Sequence, residues 1–243
     1  MRRLICIGTL AAILLTGCGP RNARPHGPQA ITLATEDGQE LSALLYATTP
    51  KEGTARPPGL VLIHRPGGES AVWDTFALWL QQRGYLVVVP NLKQDVAHWD
   101  RVLAGLKAAK GALLDAGADP ANLAAAGEGG GSSLAFEYAL GDRDMQGVIA
   151  LSPEAGAAGF KAREQMALLK ELPLLLMASE SDPHGAALAK ALQQAAPGFC
   201  ELRTFTTSAY GADLLTDVPN ARDQALLWLQ SVLPEGPGKE SPR

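Results

Sequence analysis

The residues best suited to chemistry lie in a glycine-rich segment near the middle of the chain. It reads Gly127-Glu128-Gly129-Gly130-Gly131 and lies between a short apolar run and a stretch of helical character. Glycines permit a tight turn there, and the free backbone amides that begin a helix attract an anion or a developing negative charge. The segment therefore predicts a turn that either binds an anion or belongs to an active site.

The elements around this segment alternate between strands and helices. An antiparallel hairpin is predicted first, from Ile31–Thr35 and Leu41–Tyr46 around the turn signal Asp37-Gly38. Six apolar runs of strand length follow, at 59–64, 85–89, 123–126, 147–151, 173–178 and 199–205. Helical spacing separates them, with helices predicted around 73–80 and 99–113 and over 132–140, 160–172, 186–195 and 221–233. This alternation predicts one α/β domain over residues 30–234, with a mostly parallel eight-stranded sheet and helices on both faces.

The order of these pieces resembles the α/β-hydrolase superfamily, in particular its small members without a large cap, such as dienelactone hydrolases and esterases. The segment His64-Arg65-Pro66-Gly67-Gly68 matches the family's loop after the third strand. The glycine-rich segment stands where the family has its G-x-S-x-G nucleophile elbow, and Ser179-Glu180-Ser181-Asp182 stands where its acid lies. The resemblance covers roughly residues 30 to 233. It implies a pocket lined by His64, Arg65, Glu128 and Gly130, with the Gly130 amide and a loop amide near Arg65 as oxyanion donors.

The sequence departs from that family at two of its three catalytic positions. Gly129 occupies the nucleophile position, and a residue without a side chain forms no acyl-enzyme. The family's histidine is expected at Tyr210, just before Gly211, and a phenol with a pKa near ~10 is a poor proton acceptor at neutral pH. Asp182 remains at the acid position. The resemblance thus implies a hydrolase scaffold that has lost serine-type catalysis.

Three functional hypotheses follow from these residues. The first is a non-catalytic binding or scaffold protein whose oxyanion amides hold a small carbonyl or carboxylate ligand. The second is an active carboxylic-ester hydrolase with an unusual catalytic set drawn from Glu128, Asp182 or Ser132. The third is a nucleotide or phosphate site at Gly127-x-Gly129, although the third glycine and the acidic residue of the dinucleotide motif are missing.

The N-terminus resembles that of bacterial lipoproteins. Arg2 and Arg3 precede an apolar run that ends near Leu15 and is too short to span a bilayer comfortably. Leu15-Thr16-Gly17-Cys18 resembles a lipobox, which implies a signal peptide over 1–17 and a lipid such as palmitate on Cys18. A flexible tether is predicted over 18–29 and a disordered tail over 235–243. The expected location is the bacterial cell envelope, at the outer membrane on its periplasmic side or at the cell surface.

Composition and charge disfavour other classes of function. The formal net charge is −4 and the chain has no basic stripe, so no nucleic-acid partner is predicted. The four histidines are dispersed and no C-x-x-C pattern occurs, so no metal site and no cofactor are predicted. The sequence does not identify a protein partner.

Overall fold

The computed structural model describes residues 27–48, 55–92, 99–154, 166–169 and 171–233. These residues form eight strands: β1 (Gln29–Ala34), β2 (Glu40–Tyr46), β3 (Gly59–Ile63), β4 (Leu86–Pro90), β5 (Leu123–Glu128), β6 (Met145–Leu151), β7 (Leu174–Ser179) and β8 (Cys200–Phe205). The strands build one sheet in the order β1-β2-β4-β3-β5-β6-β7-β8. Among them only β2 runs against the others. The prediction of a mostly parallel eight-stranded sheet is confirmed.

Helices cover both faces of this sheet. They are α1 (Asp74–Gln81), α2 (Trp99–Asp115), α3 (Gly131–Gly141), α4 (Pro183–Ala195), α5 (Asp213–Asp217) and α6 (Pro219–Val232). Most of the helix predicted over 160–172 lies outside the described residues, as do Cys18 and most of the predicted tether and tail. The sequence pattern does not predict α5, because five residues are too few to show a helical period. In the described part of the chain, no helix is long and apolar enough to cross a bilayer.

The alternation of side chains along the strands divides the core into two layers. Val61 and Ile63 of β3 pack in the same cluster as Leu106 of α2, together with residues of α3 and α4. Leu60 and Leu62 pack in the opposite cluster, with residues of α1, α5 and α6. All five residues of β3 and of β4 are buried, because helices cover both sides of these central strands.

The close approach of α3 to β3 and β5 fixes the glycine-rich turn at the carboxyl edge of the sheet. A Cβ atom on Gly131 would lie 2.5 Å from the carbonyl oxygen of Ile63, and one on Gly127 would lie 2.2 Å from that of Gly131. Neither distance is tolerable between real atoms. Glycine at both positions therefore lets the helix begin directly against the strands.

Gly131→Ala is expected to lower the free energy of unfolding by roughly 1–3 kcal/mol, because the added methyl group forces α3 away from β3. Gly141→Ala is the matched control, since it lies in the same helix and a Cβ there meets nothing within 4 Å. That change is expected to be neutral or to stabilise by up to about 1 kcal/mol. Urea unfolding followed by circular dichroism measures both. Equal effects of the two changes would contradict the packing argument.

Candidate active site

The turn between β5 and α3 has the backbone of a nucleophile elbow. Gly129 lies in the left-handed region with φ +54°, and its amide donates a hydrogen bond of 2.9 Å to the carbonyl of Leu151. The carbonyl of Gly129 accepts a hydrogen bond from the Ser132 amide at 3.1 Å, which closes the turn into the helix. A sharp turn of this kind exposes its central residue at the top of the sheet. Here that residue has no side chain.

A tyrosine–glutamate pair occupies the space above Gly129. The Tyr210 hydroxyl donates a hydrogen bond of 2.5 Å to Oε1 of Glu154, the residue that follows Ser152-Pro153 after β6. A Cβ atom built on Gly129 would lie 3.0 Å from the Tyr210 hydroxyl and 3.5 Å from the carboxyl carbon of Glu154. The pair therefore lies where a nucleophilic side chain and its bound acyl group would have to be.

Tyr210 is a hydrogen-bond donor in this site rather than a base. Burial raises the pKa of its hydroxyl above the ordinary value, and the hydrogen bond to Glu154 acts in the same direction. The negative charges of Glu128 and Asp182 raise this pKa further. The hydroxyl thus keeps its proton at neutral pH, and it has no means of taking one from a nucleophile.

The backbone around Tyr210 is fixed by two neighbours from different strands. Ser152, just past β6, has φ +44°, and its hydroxyl accepts a hydrogen bond of 3.0 Å from the Gly211 amide. Gly211 itself has φ +58°, and a Cβ there would lie 2.2 Å from Oε2 of Glu128. Sequence reasoning missed both Ser152 and Glu154. The signal that could have found them is their position directly after a buried strand, at the edge where the other site residues lie.

Glu128 is the most deeply buried carboxyl group of the site. Its side chain is 2% exposed, and its Oε1 accepts a hydrogen bond of 2.9 Å from the Arg65 amide. Burial raises the pKa of Glu128, while the Arg65 amide and the Arg65 charge lower it in part. The carboxyl group thus ties β5 to the loop after β3.

This contact removes the Arg65 amide from the candidates for the loop amide expected beside the Gly130 amide. The Arg65 amide donates to Glu128 and does not point to a vacant site, and the next residue, Pro66, has no amide hydrogen. Pro66 also packs over the start of α3, because a Cβ on Gly130 would lie 2.7 Å from its Cδ atom. The Gly130 amide keeps its predicted place at the start of the helix. The Arg65 amide is not available as a second donor beside it, because it is bound to Glu128.

His64 packs beneath the loop after β3 and contacts its backbone. It is fully buried, and its Nδ1 lies 2.9 Å from the Arg65 carbonyl oxygen. Burial lowers the pKa of the imidazole, with the backbone contact acting in the opposite direction. On the exposed side of the same loop, the Arg65 guanidinium lies 5.8 Å from the centre of the Tyr210 ring.

Asp182 keeps the position of the family's acid but has a structural contact of its own. Its Oδ1 accepts a hydrogen bond of 3.0 Å from the Gly185 amide and so caps α4. It is close enough to the site for its charge to raise the pKa of Tyr210. His184, two residues further along the chain, is exposed on the first turn of α4.

The geometry disfavours two of the three functional hypotheses, the active ester hydrolase and the phosphate site. Ser132 is completely buried, and its hydroxyl donates a hydrogen bond of 3.0 Å to the Gly127 carbonyl. Its side chain therefore has no access to a substrate. The Ser133 hydroxyl donates a hydrogen bond of 3.3 Å to the backbone carbonyl of Glu154. A phosphate at the start of α3 would face the carboxyl groups of Glu128 and Glu154. In the described part of the chain, no group of three or more ligating side chains could hold a metal ion.

No protein-family model matches the sequence, and no curated protein gives a significant match. Solved structures do resemble the fold, and three of them each cover 86% of this chain and 100% of their own. They are DcsB in complex with a substrate analogue (TM-score 0.70, 11% identity), a dienelactone hydrolase from Anabaena variabilis (0.65, 16%) and the α/β-hydrolase GrgF from a Penicillium species (0.66, 12%). The chain therefore has the α/β-hydrolase fold. At these identities the likeness establishes the fold and not a reaction.

Gly129→Ala is expected to cost roughly 1–3 kcal/mol of unfolding free energy, because the methyl group enters a left-handed turn and meets the Tyr210 hydroxyl. The cost should shrink by about 0.5–2 kcal/mol in a Tyr210→Phe background, where that hydroxyl is absent. Gly38→Ala is the control for backbone strain alone, since it has φ +79° and an open surrounding. A double-mutant cycle by urea unfolding measures the coupling. Additive effects would contradict direct contact between the two positions.

Glu128→Gln is expected to raise the free energy of unfolding near neutral pH and to converge with the unchanged protein on acidification. The sign follows from the raised pKa of Glu128, because its ionised form is disfavoured in the fold, and that penalty declines as the pH falls from the raised pKa to the ordinary value and is absent below it. The amide oxygen of glutamine retains the acceptor for the Arg65 amide. Urea midpoints at several pH values measure this, with the exposed Glu69→Gln as control. A gap that widens towards acid would reverse the assignment.

Proposed function

We propose that this chain is a lipid-anchored envelope protein that uses the α/β-hydrolase fold for binding or scaffolding without serine-type hydrolysis. The anchor is the lipid expected on Cys18, which holds the domain at the membrane through the tether. The absence of catalysis follows from the double departure at Gly129 and Tyr210. Both changes remove chemistry that operates as a unit, so neither position compensates for the other.

The hydrogen bond from Tyr210 to Glu154 over Gly129 carries the proposal. In an active hydrolase, the substrate carbonyl must lie above the elbow, within reach of a nucleophile and a base. Here a phenol and a carboxylate fill that space, and a nucleophilic side chain would collide with them. Glycine at the elbow and tyrosine at the histidine position are therefore two parts of one arrangement.

The ligand favoured at this site is a neutral carbonyl group rather than a carboxylate. The Gly130 amide and the Arg65 side chain remain as donors near the turn. The carboxyl groups of Glu128 and Glu154 already lie at the same place, so a second anion would meet repulsion from both. Binding of such a ligand would exchange the contact of Glu154 with Tyr210 for one with the ligand.

The unmodified protein is expected to show no labelling with a fluorophosphonate probe and no turnover of short-chain esters, because no exposed serine is paired with a base among the described residues of the site. Mass spectrometry of the probe-treated protein and an ester assay measure this. Stoichiometric labelling at a single serine, or steady turnover, would establish the alternative of an active ester hydrolase and defeat the proposal.

The double variant Gly129→Ser with Tyr210→His is expected to gain slow ester turnover, since it restores a nucleophile and a base on the same backbone. The gain should stay far below that of a full catalytic set, because Glu128 still binds the Arg65 amide. The matched control is Gly129→Ala with Tyr210→His, which opens the same space without a nucleophile. No difference between the two variants would contradict the assignment of Gly129 to the nucleophile position.

A further inference from the structure

Two arginines and a tryptophan form a cationic cluster on the α1–α6 side of the sheet, in which Arg83 is exposed and Trp79 and Arg222 are partly exposed. The Arg83 guanidinium lies 3.6 Å from the centre of the Trp79 ring, and that of Arg222 lies 5.0 Å from it. Trp79 is itself stacked on Phe76, with ring centres 5.9 Å apart. The indole therefore contacts two positive charges and one aromatic ring. We call these three residues, Trp79, Arg83 and Arg222, the Arg–Trp–Arg cluster.

Neither arginine of this cluster forms an ion pair with another described residue. Among the described residues, neither guanidinium lies within 4.0 Å of a carboxylate. The Nε atom of Arg222 is buried and, within the same residues, has no hydrogen-bond partner. Arg83 is exposed, and one nitrogen of its guanidinium donates a hydrogen bond of 3.0 Å to the backbone carbonyl of Trp79. On a chain of net charge −4, two unpaired arginines at one point mark a local site for an anionic surface.

The cluster lies close to the edge of the sheet from which the anchor segment departs. Gln29, the first residue of β1, pairs with Leu45, which in turn pairs with Val88 in the middle of β4. Arg83 lies just before β4 begins. Two strand spacings, about 10 Å, thus separate the start of β1 from the strand that Arg83 leads into. The segment from Cys18 to this edge reaches at most about 40 Å at full extension, so a lipid on Cys18 would hold this edge within that distance of the membrane.

We propose that the Arg–Trp–Arg cluster docks the domain onto the anionic head groups of the membrane that holds the anchor, and this inference rests on the proposed lipid on Cys18. Guanidinium groups form charge-assisted hydrogen bonds with phosphate oxygens, often two at once. Tryptophan prefers the boundary between head groups and acyl chains, and arginines extend to the phosphates while their stems cover apolar surface. The docked face carries α1 and α6.

The test uses the full chain, purified with its lipid and reconstituted into vesicles of phosphatidylcholine, either alone or mixed with phosphatidylglycerol. Lipids brominated near the head group quench nearby tryptophans, and the share of Trp79 is obtained by difference from Trp79→Phe. Strong quenching is expected with phosphatidylglycerol and weak quenching without it. Arg83→Gln and Arg222→Gln should each lower the ratio of docked to undocked domain by about fivefold, and salt should lower it as well.

Two variants keep this test free of trivial explanations. Arg101→Gln removes an exposed charge from α2, on the opposite face of the sheet, and is expected to leave quenching unchanged. Arg83→Lys keeps the charge and is expected to retain most of the effect of phosphatidylglycerol. Circular dichroism of each variant establishes that the fold is intact.

Three results would overturn the docking surface. The first is equal quenching on both lipid compositions, which would show that the domain does not distinguish anionic head groups. The second is unchanged quenching after both arginines are removed. The third is release of Trp79 by inorganic phosphate at matched ionic strength, which would indicate a small-anion site. The anchor is tested separately by mass spectrometry of Cys18. If the residue carries no lipid, the anchor proposal fails, while the same vesicles still report whether the unanchored domain docks.

Discussion

The candidate site depends on a single spatial constraint, the narrow gap above Gly129 at the carboxyl edge of the sheet. Strand β5, the start of α3 and the loop after β8 all converge there, and the Tyr210 hydroxyl and the Glu154 carboxyl group fill the gap. Any side chain at position 129 would compete with them for the same space. The identities of three residues from three distant parts of the sequence are therefore linked by one packing condition.

A buried carboxyl group holds the same region together from the inside. Glu128 binds the Arg65 amide on one side and lies against Gly211 on the other, so it joins the loops after β3 and β8 to the end of β5. An ionisable group with 2% exposure is expensive to keep in a fold unless its oxygens are satisfied. Here the contact fixes the loop backbone, and it also takes an amide that an oxyanion site would need. The arrangement therefore favours a rigid loop backbone over amides that are free to stabilise an oxyanion.

Fold and activity are separate properties in this molecule. The two core layers, the parallel strand order and the close start of α3 are those of an α/β-hydrolase, and they require only apolar side chains and a few glycines at defined places. Catalysis requires, in addition, particular groups within hydrogen-bond distance of one another. A chain can meet the first requirement and not the second. Under the proposed function, the role of the protein would rest on binding surfaces, and the Arg–Trp–Arg cluster is proposed as one of them.

Much of the architecture was predictable from the sequence, because periodicity is a local property. Buried parallel strands appear as continuous apolar runs such as Leu60–Ile63, and glycines mark the turn from β5 into α3. Alignment of those pieces along the chain was enough to place Gly129, Tyr210 and Asp182 at strand ends. The short helix α5 escaped prediction, because its five residues show no period.

Only the tertiary structure decided how these residues meet. Nothing near Glu154 in the sequence indicates that it accepts a hydrogen bond from Tyr210, which is 56 residues away. The capture of the Arg65 amide by Glu128 likewise spans 63 residues, and it changed the expected oxyanion site. The sequence by itself determined the strands, the helices and the glycine-rich turn after β5, since these depend on residue type and spacing. Which groups fill the resulting space depends on three-dimensional distances, and those exist only once the sheet has brought the loops together.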